Sequence, residues 1–498
     1  MALDVAPRTV LSYAAGTAVD DGEWIVREDP SRPHLTAGRV SATDAAGVDR
    51  AVEAADAAFG PWAARSLQER TSLVLGACQA VREAEHSLAD LLTRESGKVL
   101  AGSLGELRFS LAHAQYCADI AEEVLAPRIG GSRAGHLEVH HQPYGVVAAV
   151  TPWNAPLILA FLKVVPALLT GNTLVLKPSP LAPLAITEAL SRVAQGLPPG
   201  VLNVVNGDHQ VGARLTSHPL VRKVVFTGGS TVGRSILRTT AENLVPTVME
   251  LGGNDAAVFL DDVDLSRANV ERAVLGSFLS AGQVCMAAKR VYVHSSRYEE
   301  FVDAYLRAAD DVLQVGDPLL DRVSVGPLIN RPAVERVQGI VEEAVAGGAS
   351  ARTVGGVVSP ELLGAGYFLR PVVVTGAEDS DRIVREEQFG PVVPVLPFDD
   401  VDEVVRRVNA DPLGLGASVW SADVRRAFDV GRHLEVGYTF INSHNRFGMT
   451  LEAPFGGVKG SGFGREYGPD GLLEYVQTHS LFAPERLSTD PQAYPTVG

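Results

Sequence analysis

Three side chains and one glycine-rich turn in this sequence are of the types that acyl and hydride chemistry needs. Cys285 stands in SAGQVCMAAKR, after a helical pattern that runs from Leu265 to Leu279. A thiolate is a strong nucleophile, yet free cysteine is also among the residue types most often buried as inert packing. Gly282 and Gln283 beside it point to a sharp turn that would expose the sulfur. Glu250 stands in PTVMELGGN, where an apolar run stops at an acid followed by two glycines. A carboxylate at a buried strand end, before a turn open to close approach, has the setting of a general base, and equally that of a solvated strand end. Asn154, in TPWNAP, follows a strand end and lies between prolines. There its amide could donate to an oxyanion or simply make a turn. Phe226 to Gly233, FTGGSTVG, reads as strand end, glycine-rich turn and helix start. Backbone N–H groups in that context receive a pyrophosphate, although the G-x-G-x-x-G spacing is absent.

The elements that must position these groups alternate. The runs VVAAV (146–150), TLVLK (173–177), VLNVV (201–205) and KVVFT (223–227) are apolar enough to be strands buried on both faces. Helical patterns at Leu157 to Thr170, Pro183 to Gln195 and Val211 to Ser217 separate them. This alternation predicts a parallel, doubly wound sheet that binds ligands beyond the carboxyl ends of its strands. A second α/β series starts near Ala256, with AAVFL, RVYVH and PVVPV as its strands. Upstream, Val48, Ala51, Val52, Ala55, Ala58 and Phe59 recur at helical spacing within Asp44 to Phe59. Further helices are expected over Leu67 to Ala84 and His86 to Glu95, the last closed by Gly97. Roughly the first 120 residues should thus be mainly helical. His136 to Gln142 alternates as a strand with one wet face, and the adjacent His140 and His141 point to opposite faces, which argues against a metal pair.

The composition bounds the partners. The chain has 498 residues, 46% of them hydrophobic and 20% charged, so it has the substance for a packed core and is not a disordered polymer. Its 43 basic and 59 acidic residues leave a formal charge of −16, which repels nucleic-acid backbones and anionic membrane surfaces. Cys78, Cys117 and Cys285 are the only cysteines and form no C-x-x-C pair, which disfavours a disulfide framework and a cysteine-based zinc site; no metal is expected. The opening MALDVAPRTVLSYAAG lacks the basic start and apolar run of a secretory signal, so the protein reads as cytoplasmic. The longest apolar stretch, Gly145 to Leu169, is broken by Pro152, Asn154, Pro156, Lys163 and Pro166, too often for a lipid-exposed span.

Taken in order, TPWNAP (151–156), LKPS (176–179), FTGGSTVG (226–233), ELGGN (250–254), GQVC (282–285), EEQFGP (386–391) and PFGGVKGSGFGRE (454–466) resemble the aldehyde dehydrogenase superfamily, of the hydrolytic, non-acylating type. Weaker resemblance reaches AVEAADAAFGPW (51–62) and ESGK (95–98), and the 35 residues between Glu250 and Cys285 are close to the family's spacing. The resemblance implies oxidation of an aldehyde to an acid with NAD(P). Cys285 would form a thiohemiacetal and then a thioester, Asn154 and the Cys285 N–H would hold the oxyanion, and Glu250 would activate the hydrolytic water. Lys163 and Glu466 match positions of proton relay or site support. Lys177 would bind the adenosine ribose, Glu387 the ribose beside nicotinamide, and Phe389 and Trp153 would lie near the nicotinamide. Ser179, the turn residues Phe226, Thr227, Gly228, Gly229, Ser230 and Gly233, and Leu251 would border the cofactor.

Three positions depart from the family pattern. Pro180 replaces an acid that commonly binds the adenosine ribose, which lowers the repulsion toward a 2′-phosphate, so NADP is possible beside NAD. Gly229 stands where a serine is usual, and YVQTHS (475–480) replaces the usual ending. The expected fold is α/β: a Rossmann-like nucleotide-binding domain (1–123 and 144–252), an α/β catalytic domain (253–473), and a β-arm and tail (124–143 and 474–498). The arm would join the strand at His136 to Gln142 with one at Tyr475 to Phe482, could pair across a subunit boundary, and the resemblance implies a homodimer or homotetramer. Ala155, Leu159, Leu162, Val284, Met286 and Phe447 would line the substrate tunnel, suiting a medium-sized apolar or aromatic aldehyde. The alternative is a carboxylate-bearing semialdehyde held by Arg446, against which stands the reading of Arg446 as a solvated loop residue. Two other activities compete: acyl transfer to CoA, disfavoured by the presence of Glu250, and cofactor-free hydrolysis by a cysteine with a histidine partner. A binding protein descended from the enzyme would be expected to have lost Cys285, Glu250 or Asn154.

Overall fold

The structure, a computed structural model, describes residues 6–132 and 135–485. The first residues of the opening segment and the end of the expected tail, 1–5 and 486–498, lie outside the described residues. Two sheets organise the molecule. In the first, Thr247–Glu250, Val221–Thr227, Val146–Val150, Thr173–Lys177 and Leu202–Val204 lie side by side in parallel. The order reverses between Val146–Val150 and Val221–Thr227, so the crevice at that switch point opens at the carboxyl ends that carry Asn154, Thr227 and Glu250. These strands are buried on both faces, as their unbroken apolar runs require. One face packs on the helices Leu67–Glu83, Leu100–Val124, Pro156–Leu169 and Leu184–Gln195, the other on Ala45–Ala63 and the helices after Asp208.

The second sheet runs Ser350–Thr353, Val372–Thr375, Val392–Phe398, Arg290–His294, Ala256–Phe259, Gly416–Trp420 and Tyr438–Ile441, parallel except at its first edge. Thr247–Glu250 ends the first series and Ala256–Phe259 opens the second, so the carboxyl end of one sheet feeds directly into the amino end of the other. The chain later returns: Gly462–Phe463 pairs antiparallel with Thr247–Glu250, and Leu472 and Tyr475 enter the core of the first sheet. The stretch assigned to the catalytic half therefore finishes the nucleotide-side sheet.

The strand expected at His136 to Gln142 spans Gly135–Pro143 and pairs along its length with Val476–Pro484, with Arg128–Ser132 on its other side. The two arm strands thus combine within one chain. Most of the first 120 residues are helical, as expected, but five strands, from Arg8–Val10 to Arg32–Ser41, precede the first helix, and Ser12–Ala14 and Thr17–Val19 extend the first sheet at its far edge. The three-residue strands among them are too short for a period-two pattern to stand out. The helices at Ala45–Ala63, Leu67–Glu83 and Glu85–Ser96 match the periodicity, with Asp44 capping the first, Ser66 and Glu69 forming a capping box on the second, and Gly97 closing the third at φ 76°. No helix among the described residues is long and apolar enough to cross a membrane.

Candidate active site

Cys285 is presented by a strained turn. Helix Arg267–Phe278 ends, and Ser280, Ala281 and Gly282 then adopt left-handed φ values of 53°, 56° and 71°. Such conformations cost non-glycine residues about 1 kcal/mol or more each, so the surroundings must hold them. At Gly282 a Cβ would lie 2.1 Å from the Gly390 carbonyl oxygen, which explains the glycine. The turn is tied from several sides. Gln283 donates to the Ser280 carbonyl (3.2 Å) and accepts from the Ile329 N–H (3.0 Å), and the Asn154 amide donates to the Gln283 carbonyl (3.1 Å). Lys289 Nζ donates to the carbonyls of Gly282 (2.9 Å) and Val284 (2.6 Å), bridging the residues on either side of Gln283. Sequence reasoning did not single out Lys289. Its signal was a lysine directly before a strand, Arg290–His294, that offers almost no solvated face.

Burial pushes the Cys285 thiol up to about 12, with Glu387 and Asp255 adding to the shift and Lys289 opposing it. At neutral pH this balance favours the thiol over the thiolate. Cys78 and Cys117 are buried thiols, each also pushed up to about 12 by burial, and neither has a turn that presents it.

Glu250 ends its strand almost fully buried, and its Oε1 has no hydrogen-bond partner. Burial and then the neighbouring Glu466 hold its carboxyl well above the usual carboxylate range, while Lys163, Arg465 and the Gly457 N–H pull the other way. Lys163, on helix Pro156–Leu169, is wholly buried and places Nζ 2.6 Å from Glu466 Oε1 and 2.7 Å from Thr227 Oγ1. The structure therefore brings Cys285, Asn154, Glu250, Lys163 and Glu466 to one place, from the first sheet, the second sheet and the returning segment.

On the nucleotide side, helix Ser230–Glu242 begins after Gly229 with no side-chain cap, and a Cβ on Gly229 would meet nothing within 4 Å. Free N–H groups facing open space beside a glycine are suited to a pyrophosphate. Gly233 lets the helix approach Leu251, whose Cδ2 would lie 2.7 Å from a Cβ there. Lys177 ends its strand with its amine on the Pro178 carbonyl (3.1 Å), and burial brings it down to about 8. Glu387 is held up at about 7 by burial, with Oε1 lacking a partner, so a sugar hydroxyl would satisfy a buried acceptor there. Trp153 and Phe389 meet edge to face with ring centroids 5.5 Å apart. A dinucleotide fits this donor and acceptor set. Two expected cofactor contacts are placed differently: Phe226 is buried beneath the turn, and Thr227 gives its hydroxyl to Lys163. Ser179 spends its hydroxyl on the Leu181 N–H (3.3 Å) within its own turn.

A cavity of about 400 Å³ lies on the opposite side of Asn154, lined by Ala155, Val284, Met286 and Phe447 as expected, and by Phe109, Met449 and Tyr467. Ile158 lines it in place of Leu159 and Leu162, which pack in the apolar cluster around Cys285 and Phe455. Ile158 and Leu162, four residues apart, share one face of the helix, and Leu162 lies a turn farther from Asn154. Arg446, read from sequence as a solvated loop residue, also lines this cavity. Glu106 was missed altogether; its Oε1 accepts from the N–H groups of Leu157 (2.8 Å) and Ile158 (3.3 Å) and so fixes the start of the helix that follows Asn154.

Known proteins resemble this chain in sequence and fold. The Aldehyde dehydrogenase family model matches residues 19–481. Human 4-trimethylaminobutyraldehyde dehydrogenase is 36% identical over 480 residues, covering 95% of this chain and 96% of its own. A probable NADP+-dependent succinate-semialdehyde dehydrogenase of Sinorhizobium fredii is 38% identical over 460 residues, covering 91% of both chains. The crystal structure of betaine aldehyde dehydrogenase from Staphylococcus aureus, in complex with NAD+, superposes with a TM-score of 0.90 at 30% identity, covering 97% of this chain and 96% of its own.

Proposed function

The chain belongs to the aldehyde dehydrogenase family, and we propose that it oxidises its aldehyde with Cys285 as nucleophile and Glu250 as the base that activates hydrolytic water. The convergence of a turn-presented Cys285, the Asn154 amide tied to that turn and a buried Glu250 with one unpartnered carboxyl oxygen carries this reading. Bound NAD(P)+ supplies the hydride acceptor, a chemistry no side chain offers. Within the chain, Lys289 is the group whose charge favours the Cys285 thiolate. Cys285 Sγ then bonds to the aldehyde carbon, and the oxygen of the thiohemiacetal takes its donors from the Asn154 amide and the Cys285 N–H. After oxidation the carbon is a Cys285 thioester. Glu250, whose carboxyl holds a proton more tightly than a free one, removes a proton from water as its oxygen bonds to the thioester carbon, and the C–S bond breaks to release the acid and the Cys285 sulfur. Lys163 and Glu466 lie behind Glu250 as a buried pair that offers a path for that proton.

For the cofactor, Lys177, Glu387 and the turn at Gly229 would hold the dinucleotide, and Pro180 leaves the adenosine ribose without an acidic neighbour, so NADP+ should be accepted beside NAD+. For the substrate, the cavity walls of Phe109, Ile158, Met286 and Met449 suit a medium-sized apolar or aromatic body. Burial contributes roughly 25 cal/mol per Å² of apolar area, so kcat/KM should climb with chain length until the cavity is full. The relatives are named for aldehydes ending in opposite charges, so family membership leaves the far end of the substrate open. We also propose self-association through the outer edge of Val476–Pro484, where Leu481 and Phe482 are exposed on the edge strand of the three-stranded sheet. The central test is Cys285→Ala, which should abolish cofactor reduction while sparing cofactor binding, with Cys78→Ala and Cys117→Ala as controls that retain turnover. Near-normal turnover by Cys285→Ala would refute the thiohemiacetal route.

A further inference from the structure

The cavity beside Cys285 carries an uneven set of charges. Lys98, Glu106 and Arg446 all line it. Lys98 and Glu106 form an ion pair with each other, and Glu106 also accepts from the backbone at the start of helix Pro156–Leu169. Their charges cancel within the wall. Arg446 feels the Glu106 charge, but that carboxylate is already paired with Lys98, and Arg446 itself forms no ion pair. Its guanidinium makes no hydrogen bond and no ion pair with any described residue, and its nearest notable neighbour is the Phe447 ring, 5.7 Å from its central carbon to the centroid. Only its backbone is fixed, by the Asn445 side chain accepting from the Arg446 N–H at 2.8 Å, and Asn445 in turn donates to the Gly276 carbonyl at 3.2 Å. On a chain whose formal charge is −16, the cavity wall therefore has a surplus positive charge, held on a short turn, Asn445–Gly448, that is anchored to the nucleophile's own helix.

We infer that the aldehyde this enzyme takes carries an anionic oxygen-acid group, a carboxylate or sulfonate, at the end remote from its carbonyl, and that Arg446 receives it. The inference rests on the aldehyde-oxidising site proposed above and names its substrate class. A guanidinium offers two parallel N–H donors to such a group, and a charge-assisted bidentate pair is stronger than a neutral hydrogen bond. Arg446 is exposed at the cavity wall and makes no ion pair that an incoming anion would have to break. A cationic end is repelled instead. The aromatic groups at the cavity, Phe109, Phe447 and Tyr467, could face a quaternary ammonium, but the unneutralised charge among them has the same sign. The apolar walls then serve the carbon chain between aldehyde and anion.

The test compares three aldehydes of equal length: an ω-oxo carboxylate, its methyl ester, and an ω-trimethylammonium aldehyde, by kcat/KM with wild type, Arg446→Ala and Arg446→Glu. Wild type should favour the carboxylate over its ester by about 10- to 100-fold, as expected of hydrogen bonds to charged groups. Most of that preference should lie in KM and weaken as salt is raised. Arg446→Ala should bring the ratio close to one, and Arg446→Glu should turn the preference toward the trimethylammonium aldehyde. A wild-type enzyme that oxidises the ester as well as the carboxylate, or an Arg446→Ala protein that loses both in equal proportion, would overturn the inference. Oxidation of none of the three by wild type would instead overturn the site reading itself, and this inference with it.

Discussion

Replacing Lys163 by methionine tests how the base is held. The side chain is wholly buried, 2.6 Å from Glu466 Oε1 and 2.7 Å from Thr227 Oγ1. Two unit charges at that separation attract by about 6 kcal/mol at an effective dielectric constant near 20. Desolvation of both ions takes back most of it, so the pair itself adds little net stability. Removing one partner leaves the desolvation of the other uncompensated, and Lys163→Met should cost about 3 to 5 kcal/mol. Lys163→Met/Glu466→Gln removes both charges and should recover much of that loss. Urea unfolding of the wild type, both single variants and the double variant gives the coupling between the two sites. Catalysis provides an independent reading. Lys163 is a group that lowers the proton affinity of Glu250, whereas Glu466 raises it. Lys163→Met should therefore move the rise of thioester hydrolysis to higher pH, and the double variant should move it back. A Lys163→Met protein that loses less than about 1 kcal/mol, or whose hydrolysis profile does not move upward, would refute the reasoning.

Glu250→Gln should slow turnover by roughly 10²- to 10⁴-fold while a first burst of cofactor reduction survives in rapid mixing; an equally diminished burst would give Glu250 an earlier role. Lys289→Gln keeps donors for the carbonyls of Gly282 and Val284 but removes the charge that favours the Cys285 thiolate. Iodoacetamide should then alkylate Cys285 more slowly at every pH below about 12, whereas unchanged rates would limit Lys289 to a structural tie. Burial raises Glu95, Asp255 and Glu387 to about 7, so the folded chain binds these protons more tightly than the unfolded chain. Their contribution is complete below the ordinary carboxylate range and is lost as pH rises through 7, each tenfold difference in proton affinity between the folded and unfolded chain counting about 1.4 kcal/mol. The urea midpoint should fall between pH 5.5 and about 8.5, and Asp255→Asn should flatten that fall.

The sequence was most legible where a local rule had one solution. Continuous apolar runs identified the parallel strands, helical spacing placed the helices within a few residues, and Gly97 marked the end of the third. The glycine at 282 and its neighbours indicated a sharp turn, and Ser280 to Gly282 are indeed left-handed. What stayed hidden depends on contacts between distant parts of the chain. Lys289, Glu106 and Thr227 look like an ordinary basic, acidic and strand-end residue until the fold places a carbonyl, a helix start and an ammonium beside them. The place of Arg446 stayed open for the same reason: it is exposed, as a solvated loop residue would be, yet it also lines a cavity whose opposite wall comes from a helix some 340 residues earlier. The opening strands escaped because pieces of three residues, such as Ser12–Ala14, carry too little pattern.

The return of Gly462–Phe463 to pair with the strand that ends at Glu250 has a consequence for biogenesis. On the ribosome, Thr247–Glu250 emerges long before its outer neighbour exists. At about 5 to 20 residues per second, roughly 200 further residues take about 10 to 40 s to synthesise. Throughout that interval the first sheet presents a bare apolar edge, the kind of surface that recruits strands from other chains. Nascent protein therefore passes through an adhesive stage that the finished enzyme has abolished, and a chain cut short before Gly462 would be arrested in it. Such a fragment should aggregate or remain bound to chaperones even though every residue of its nucleotide turn and its nucleophile loop has been made.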